Sequence, residues 1–489
     1  MIFKQIFVSL QPISKTRAMN LNDIFNANKT DAEKITLLKE KAVSVPAWEK
    51  LRRSYEPGRH KIVRDYRGRP NTTFKDGTVQ KATRYRFGLE KLLVSRMSNF
   101  MFTIPVKRVY QEPEGLTDEQ KAERKKIIQA IEKVYKLARV DNENRDRAKK
   151  YFASCEIFTL WYTSESNHTR YGFPATQKFK CRTYSPMDGN TKLYPLFEGD
   201  DLIAMSIEYS RDENNQTVTY FETYTAEKHY KWHTSDKGWE AEKPIDISSF
   251  GKIPGVYMYR EEPIFGEDLD YIRENLEYKL SENSDTISDN ASPLLATSGE
   301  ITGLEKRSDS KRTVKLANGG KVEYVTWDQG IEAMKYHTEQ MLDMYFMLAQ
   351  LPNISSSKMM NLSNVSYESR QMLFADAHMK VGDESGEWLE ALDREFSLIK
   401  RFVAKANTQW AEYMDSIECE HIITPFIQED KKSTVAMLMD ANGGKPLMSQ
   451  KTSIQHLGVS DAEAELKQIE EEEAAAPKQT GFENMFTSN

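Results

Sequence analysis

Cysteine is scarce in this chain, and its spacing excludes the usual kinds of cysteine site. The 489 residues include 3 cysteines, Cys155, Cys181 and Cys419, which lie far apart with no Cys-x-x-Cys pair. A disulfide framework and a thiolate zinc site both need paired or clustered cysteines. We therefore expect neither of them, and the pattern fits a reducing compartment.

Long apolar runs are also absent. No stretch of about 18 consecutive apolar residues occurs, which is the length that a membrane-spanning helix needs, so we expect no membrane span. Hydrophobic residues make up 39% of the chain, below the ~45–50% typical of globular domains, a range that also counts glycine. A modest core of this kind is consistent with a chain that covers part of its surface with partner subunits.

The chain has no excess of positive charge. Its formal net charge is −6 at pH 7. A protein that grips DNA over its whole surface is usually basic, because neutralisation of phosphates supplies most of the affinity. Broad gripping of DNA is therefore disfavoured.

Local signatures of catalysis are missing as well. Gly443-Gly-Lys445-Pro446 lacks the first glycine and the following hydroxyl of a phosphate-binding loop, and there is no Gly-x-Ser-x-Gly or His-Glu-x-x-His. His229 and His233 lie four apart in a segment with a strand pattern, where packing or surface roles are favoured over metal binding. We predict no catalytic residues, no cofactor and no metal site.

The first half of the chain has the pattern of a mixed α+β domain of about 260 residues. Thr117-Asp-Glu-Gln120 is a capping-box pattern at the start of an apolar helical repeat. From Lys178 to Tyr259 the pattern alternates as in strands, with turn signals between the runs. The predicted helices are 31–42, 118–140 and 142–152. The predicted strands are 202–209, 217–224 and 228–233.

An acid-rich helix without glycine or proline is predicted from Glu267 to Ala291. The segment from Glu262 to Glu300 contains ten acidic residues and only two basic ones, Arg273 and Lys279, so its local charge is −8. Asp285 and Asp289 share a helix face and offer a possible Mg²⁺ pair, but a solvated acidic face is the favoured interpretation. The basic stretch around residues 52–69 has two interpretations: a phosphate contact, or, as we favour, a solvated face or a seam with acids of a neighbouring subunit.

The second half begins with a predicted hairpin. The runs 313–316 and 321–325 flank Asn318-Gly319, a pair that tolerates positive φ at both turn positions. After Trp327-Asp328 a second helix is predicted to run to about Gln350, followed by a polar segment and a third helical tract over 366–414. Gly382 and Gly386 are expected to bend that tract.

The order of these parts resembles the portal proteins of tailed bacteriophages, specifically the siphophage-type family, from about residue 50 to residue 473. Tyr55-Glu-Pro-Gly-Arg-His-Lys-Ile62 is similar to an early motif of that family, and Phe250-Gly-Lys-Ile-Pro254 to the entry to its stem. Asn364-Val-Ser-Tyr-Glu-Ser369 stands where the family begins its longest helix, although the usual Ser-Gly pair is absent. Met448-Ser-Gln-Lys-Thr452 and Leu457-Gly-Val-Ser-Asp461 match its C-terminal signature.

The resemblance implies a portal subunit with a named order of parts. These are a wing (1–261), a first stem helix (262–292), a clip (293–327), a second stem helix (328–350), a tunnel loop (351–365), a long wing helix (366–424), a crown (425–473) and a disordered tail (474–489).

It also implies a function, that of a ring at one capsid vertex, with twelve subunits in the virion. Double-stranded DNA enters through its axis, driven by a separate terminase large subunit, and leaves by the same route. Other implied partners are the major capsid and scaffolding proteins and a head–tail adaptor. The implied location is the virion, and the host cytoplasm during assembly.

Three groups of residues follow as candidate sites. The tunnel loop would touch DNA through Ser355, Ser356, Ser357, Lys358 and Asn361. The acidic helix would line the channel with Glu267, Asp270, Glu274, Glu277, Asp285 and Asp289. The clip hairpin would meet partners through Lys315, Asn318, Gly319 and Lys321.

Two alternatives stay open. One is another structural protein of a phage head or neck. The other is a metal-dependent DNA-processing enzyme that uses Asp285 and Asp289 on the acidic helix.

Overall fold

The computed structural model describes most of the chain. It covers residues 21–426, except 44, 65–67, 214, 291–293, 299–300, 305–313, 317–319, 326–330, 354–371 and 373, and then residues 462–475. By its internal contacts the chain divides into a large unit and a smaller one, and within the described ranges the smaller unit consists of the helix Ala462–Ala475.

The large unit contains ten of the helices described here, and the starts of two of them are set by N-terminal capping residues. Thr30 and Thr117 both form capping boxes. In each, the threonine side chain accepts a hydrogen bond from the backbone N–H three residues later, and the side chain of that later residue accepts one from the backbone N–H of the threonine. The helices are α1 (Leu21–Ile24), α2 (Asp31–Lys41), α3 (Trp48–Tyr55), α4 (Lys61–Arg64), α5 (Leu89–Phe102), α6 (Asp118–Ala138), α7 (Val140–Ser154), α8 (Glu267–Asn290), α9 (Ile331–Leu348) and α10 (Ala375–Ala406), with α11 (Ala462–Ala475) in the smaller unit.

The strands form antiparallel sheets. They are β1 (Thr72–Thr73), β2 (Val79–Gln80), β3 (Lys107–Tyr110), β4 (Glu156–His168), β5 (Ala175–Tyr184), β6 (Lys192–Glu198), β7 (Asp201–Glu213), β8 (Gln216–Tyr224), β9 (Lys228–Ser235), β10 (Gly238–Ala241), β11 (Ile245–Asp246), β12 (Gly255–Tyr259), β13 (Leu294–Ser298), β14 (Ile301–Leu304), β15 (Val314–Leu316), β16 (Lys321–Val325) and β17 (Cys419–Ile422). One sheet has the order β10-β9-β8-β7-β6 with β11 beside β9, and a second has the order β12-β4-β5. The predicted α+β class is confirmed.

The long helix α10 is packed into the core of the large unit. Its 32 residues span about 48 Å, at about 1.5 Å per residue. Phe402 of α10 stacks on Phe179 of β5 with ring centroids 4.3 Å apart. Glu395 is buried, accepts from the indole Nε1 of Trp161 at 2.8 Å and pairs with the guanidinium of Arg147 at 2.9 Å. These contacts fix α10 against both α7 and β4.

Most predicted elements of the first half are present, and one long strand is missing from the prediction. Strand β4 begins with Glu156-Ile-Phe-Thr-Leu-Trp161, in which every residue is buried. A strand buried on both faces shows no alternation, so its apolar run reads as a continuation of α7. The third helical tract also ends earlier than predicted, at Ala406, where Asn407 leaves helical geometry and its side chain caps a short 3₁₀ turn.

Helices α8 and α9 are joined by a two-stranded ribbon, and its pairing corrects the predicted hairpin. Strand β13 pairs with β16, with Ser298 opposite Lys321, whereas β14 pairs with β15, with Leu304 opposite Val314. The chain therefore reverses between Leu304 and Val314, and the predicted pairing of 313–316 with 321–325 is replaced by pairing of β15 and β16 with two earlier strands. Asn318 and Gly319 themselves lie outside the described residues.

No helix in the described part of the chain is both long and apolar enough to cross a lipid bilayer.

We expect Glu156→Gln to stabilise the protein at high pH but not at low pH. Burial raises the pKa of Glu156 from 4.5 to about 7, although the Tyr257 hydroxyl donates to it. The stability contributed by this carboxyl is therefore complete below about pH 4.5 and is lost as pH rises through about 7. Glutamine avoids that loss, so the gain should be about 3 kcal/mol near pH 8.5 and close to zero near pH 4.

Thermal unfolding at the two pH values measures this difference. Glu165→Gln is the matched control, because Glu165 lies exposed on the same strand. An equal shift of the unfolding midpoint at both pH values would contradict the burial argument.

Candidate functional site

The basic stretch and the acidic helix, far apart in the sequence, meet in the structure. His60 and Glu277 are both fully buried, and His60 Nδ1 lies 2.6 Å from Glu277 Oε1. His60 Nε2 lies 2.9 Å from the carbonyl oxygen of Ser54, which can only accept. Nε2 therefore donates to Ser54, and a further proton lies between the imidazole and the carboxylate. Phe87 N–H also donates to this carboxylate, at 2.8 Å.

Arg273 lies at the centre of the same buried cluster. Its Nε donates to Glu90 at 2.7 Å and its Nη1 to Glu277 at 3.0 Å, and it also pairs with the half-buried Asp270. Burial raises the pKa of Glu90 to about 7, while the charge of Arg273 acts in the opposite direction. Inside the protein the guanidinium of Arg273 thus meets two buried carboxyl groups, Glu90 and Glu277, and His60 is hydrogen-bonded to the second of them.

A second set of contacts lies further along α8. Arg69 pairs with Asp285, and the backbone N–H of Thr83 donates to the same carboxylate at 3.2 Å. Burial opposes ionisation of Asp285, but the bonds from Thr83 and the charge of Arg69 still hold its pKa below the ordinary value. Lys61 lies 3.7 Å from Glu274. The described residues of 52–87, which we call the strap, are thus held along α8 by contacts between basic side chains of the strap and acids of the helix.

The close fit of the strap explains one of its glycines. A Cβ placed on Gly68 would lie 2.7 Å from the hydroxyl oxygen of Tyr278 on α8. A larger residue at this position would require either the Tyr278 side chain or the strap to move. The short backbone approach at Gly68 leads directly into Arg69, which binds Asp285.

These contacts change the interpretation of both charged segments. The basic stretch faces acids of its own chain at His60, Lys61 and Arg69, and Arg52 and Arg59 pair locally with Glu49 and Glu56. The favoured interpretation was a solvated face or a seam with acids of a neighbouring subunit, and the contacts of His60, Lys61 and Arg69 are instead made with acids of the same chain. The sequence does not show this, because the two segments are separated by a whole domain.

The acids that were predicted to line a channel differ in their burial and contacts in the structure. Glu277 is 1% exposed, so its assignment to a channel wall is wrong. Asp270, Glu274 and Asp285 contact strap or α8 groups, Glu267 is exposed, and the side chain of Asp289 lies outside the described residues. A channel-lining role for the acids other than Glu277 stays a prediction.

The other candidate residues lie largely outside the described ranges. This applies to Ser355, Ser356, Ser357, Lys358 and Asn361 of the predicted tunnel loop, and to Asn318 and Gly319. Lys315 lies in β15, and Lys321 is exposed in β16, where its backbone N–H donates to Ser298 Oγ at 3.2 Å.

Metal chemistry finds no support in the described ranges, where no three His, Cys, Asp or Glu side chains are placed to hold one ion. His229 stacks on Tyr224 with ring centroids 4.1 Å apart, and its Nε2 lies 3.0 Å from Glu222. Asp285, half of the carboxylate pair proposed for a nuclease, is engaged by Arg69.

Sequence reasoning missed the central role of Arg273. One signal was present: Arg273 falls on the apolar row of α8, beside Leu269 and Leu276, both buried. A cation at a core-facing position requires buried carboxylates around it. Glu277 lies one turn further along α8, whereas Glu90 became visible as a partner only once α5 and α8 were brought together.

We expect Glu277→Gln to loosen the strap. The change leaves Arg273 and His60 with one fewer buried carboxylate, which should cost about 3 kcal/mol of unfolding free energy. Glu282→Gln, on the same helix with a side chain 51% exposed, should cost less than about 0.5 kcal/mol. Urea unfolding measures both values, and limited trypsin digestion should cut the Glu277→Gln variant faster at Lys61 and Arg64. Equal stability of the two variants would contradict the cluster's importance.

The chain was compared with known proteins. No curated protein matches it. Among solved structures, it is similar to a chain of "Neck of empty GTA particle computed with C6 symmetry", with 12% identity, a TM-score of 0.33, and coverage of 76% of this chain and 90% of that chain. It is also similar to a chain of "Virion of native gene transfer agent (GTA) particle", with 11% identity, a TM-score of 0.34, and coverage of 86% and 95%.

The family comparison reaches over nearly the whole sequence. A sequence model of one family matches residues 36–479, which include the strap, both helices α8 and α9, and the ribbon between them. The chain therefore belongs to the family described as "Phage portal protein, SPP1 Gp6-like".

Proposed function

We propose that this portal protein forms a closed ring at one capsid vertex, through which double-stranded DNA enters and later leaves. The observation that carries the proposal is the family match over residues 36–479. We take the ring to contain twelve subunits and to act without catalysis of its own. The energy for DNA movement comes from a terminase large subunit, and the protein works in the virion after assembly in the host cytoplasm.

The parts of the subunit divide this work. Helices α8 and α9 form the stem around the channel, and the ribbon of β13–β16 forms a clip that meets the terminase or a head–tail adaptor. The remainder of the large unit forms a wing that meets the major capsid and scaffolding proteins. The joined pair of helices with a small β ribbon between them is the arrangement that supports this division.

The charge of the channel wall follows from the contacts of α8. Several acids of α8 are neutralised by the strap, so the wall is less acidic than the sequence suggests. Exposed acids that remain on α8 are Glu267, Asp268 and Glu282. Cyclic symmetry repeats each of them around the axis. A wall of this kind disfavours lasting contacts with phosphates and so permits DNA to slide.

Purified protein should form annular particles with a central channel. With twelve copies of a 56.5 kDa chain, native mass spectrometry should give about 680 kDa. Negative-stain electron microscopy shows the ring directly, and the same sample should neither cleave DNA with Mg²⁺ nor hydrolyse nucleotide. A protein that stays monomeric under all assembly conditions would contradict the proposal, as would Mg²⁺-dependent cleavage that Asp285→Asn removes.

Lys358 of the proposed tunnel loop should make weak, exchangeable contacts with DNA phosphates. Lys358→Ala should leave the ring intact and make the binding of duplex DNA less dependent on salt, because fewer counterions are released. Filter binding over a range of salt concentrations measures the slope. Lys237→Ala, in an exposed turn of the wing, is the control. An unchanged slope for Lys358→Ala would remove Lys358 from the channel.

A further inference from the structure

The strap contains a small hairpin, residues 70–81, whose side chains are all exposed. Strands β1 and β2 pair antiparallel, with Thr73 opposite Val79, and Gly77 closes the turn at φ 82°. Every residue from Pro70 to Lys81 is exposed. A two-stranded hairpin of this size is marginally stable in water unless it packs on another surface.

The base of this hairpin is nevertheless firmly held. Arg69 Nε donates to the carbonyl of Thr83 at 2.6 Å, and its Nη2 donates to the carbonyl of Ser281 on α8 at 2.9 Å. Arg84 donates to the carbonyl of Arg69 at 2.6 Å and to the side-chain oxygen of Asn71 at 3.0 Å. The two ends of the hairpin are thus joined to each other and to α8. A segment whose base is fixed in this way presents its tip in a defined position.

The hairpin carries apolar and basic groups outward. Phe74 is 48% exposed and Val79 is 54% exposed. Lys75 and Lys81 flank them and are exposed as well, against one acid, Asp76. The hairpin therefore offers an apolar contact with a positive rim, which requires a partner with apolar groups and negative charge.

Helix α9 of the same chain offers the complementary surface. Glu332, Tyr336, Glu339, Asp343 and Met347 recur at intervals of three or four residues, so they lie along one face of the helix, and all five are exposed. Tyr336 is 66% exposed and Met347 is 64% exposed. Three acids and two apolar side chains thus lie along this exposed face, which we call the outer face of α9.

Within one chain the two surfaces do not cover each other, because both remain exposed. We propose that the hairpin of one subunit docks on the outer face of α9 in the next subunit. Each copy then gives one hairpin and receives one, which is the heterologous contact that a cyclic ring requires. The inference rests on the proposed ring and names a contact that closes it.

The first test removes the apolar side chains of the hairpin that the proposed contact uses and leaves the rest of the chain unchanged. Phe74→Asp with Val79→Asp should raise the concentration at which rings dissociate at least tenfold, as measured by native mass spectrometry over a dilution series. Ile245→Asp is the matched control, because Ile245 is 57% exposed and lies in a two-residue strand of the wing. Its rings should dissociate like those of the wild type. Thermal unfolding of all variants checks that they fold.

The second test locates the partner surface. Lys75→Glu with Lys81→Glu should weaken the ring, and so should Glu332→Lys with Glu339→Lys. The four changes combined should restore it, since the charges are exchanged across the contact.

The outcomes separate the inference from the proposed function. Stable rings in the Phe74 and Val79 variant, or an equal loss in the Ile245 control, overturn the hairpin contact and leave the ring proposal standing. Failure of the combined charge variant to recover overturns the assignment to α9. Absence of rings in the wild type overturns the ring proposal and the contact with it.

Discussion

The packing of α5, α8 and the strap depends on a buried cation. Arg273 is inside the protein because Glu90 and Glu277 meet it there, and Glu277 is in turn shared with His60 of the strap. The cluster joins three segments: α5, α8 and the strap. A buried charge without partners is costly, so each member constrains where the others can be. The path of the strap along α8 follows from this constraint.

The acids of α8 fall into two sets, which the sequence alone does not distinguish. Acids that face the strap bind its cations and hold the subunit together, whereas other acids of the helix remain exposed. Asp285 belongs to the first set, through Arg69 and Thr83, and Glu267 to the second. A count of local charge cannot separate these sets, because neutralisation depends on a segment about 200 residues away.

Local signals predicted much of the fold, and long-range contacts account for what was missed. Thr117 and Gln120 marked the start of α6, and the acidic helix was placed within about one residue of α8, because capping and helical spacing are local. Strand β4 was missed because burial on both faces removes alternation, and the pairing of 313–316 with 321–325 was wrongly predicted because β15 and β16 each pair with an earlier strand. Of the candidate site, Glu277 could not be assigned correctly before His60 was brought against it.

The guanidinium of Arg69 also gives the subunit a mechanical property. It binds the carbonyls of Thr83 and Ser281 at once, and so links both ends of the hairpin to the backbone of α8. A pull on the hairpin tip is therefore delivered to one level of that helix instead of being absorbed by the loop. Lysine could not replace this residue, since a single ammonium lacks the planar fork that reaches two carbonyls and a carboxylate together. Arg69 is therefore the residue through which a force on the hairpin would reach α8.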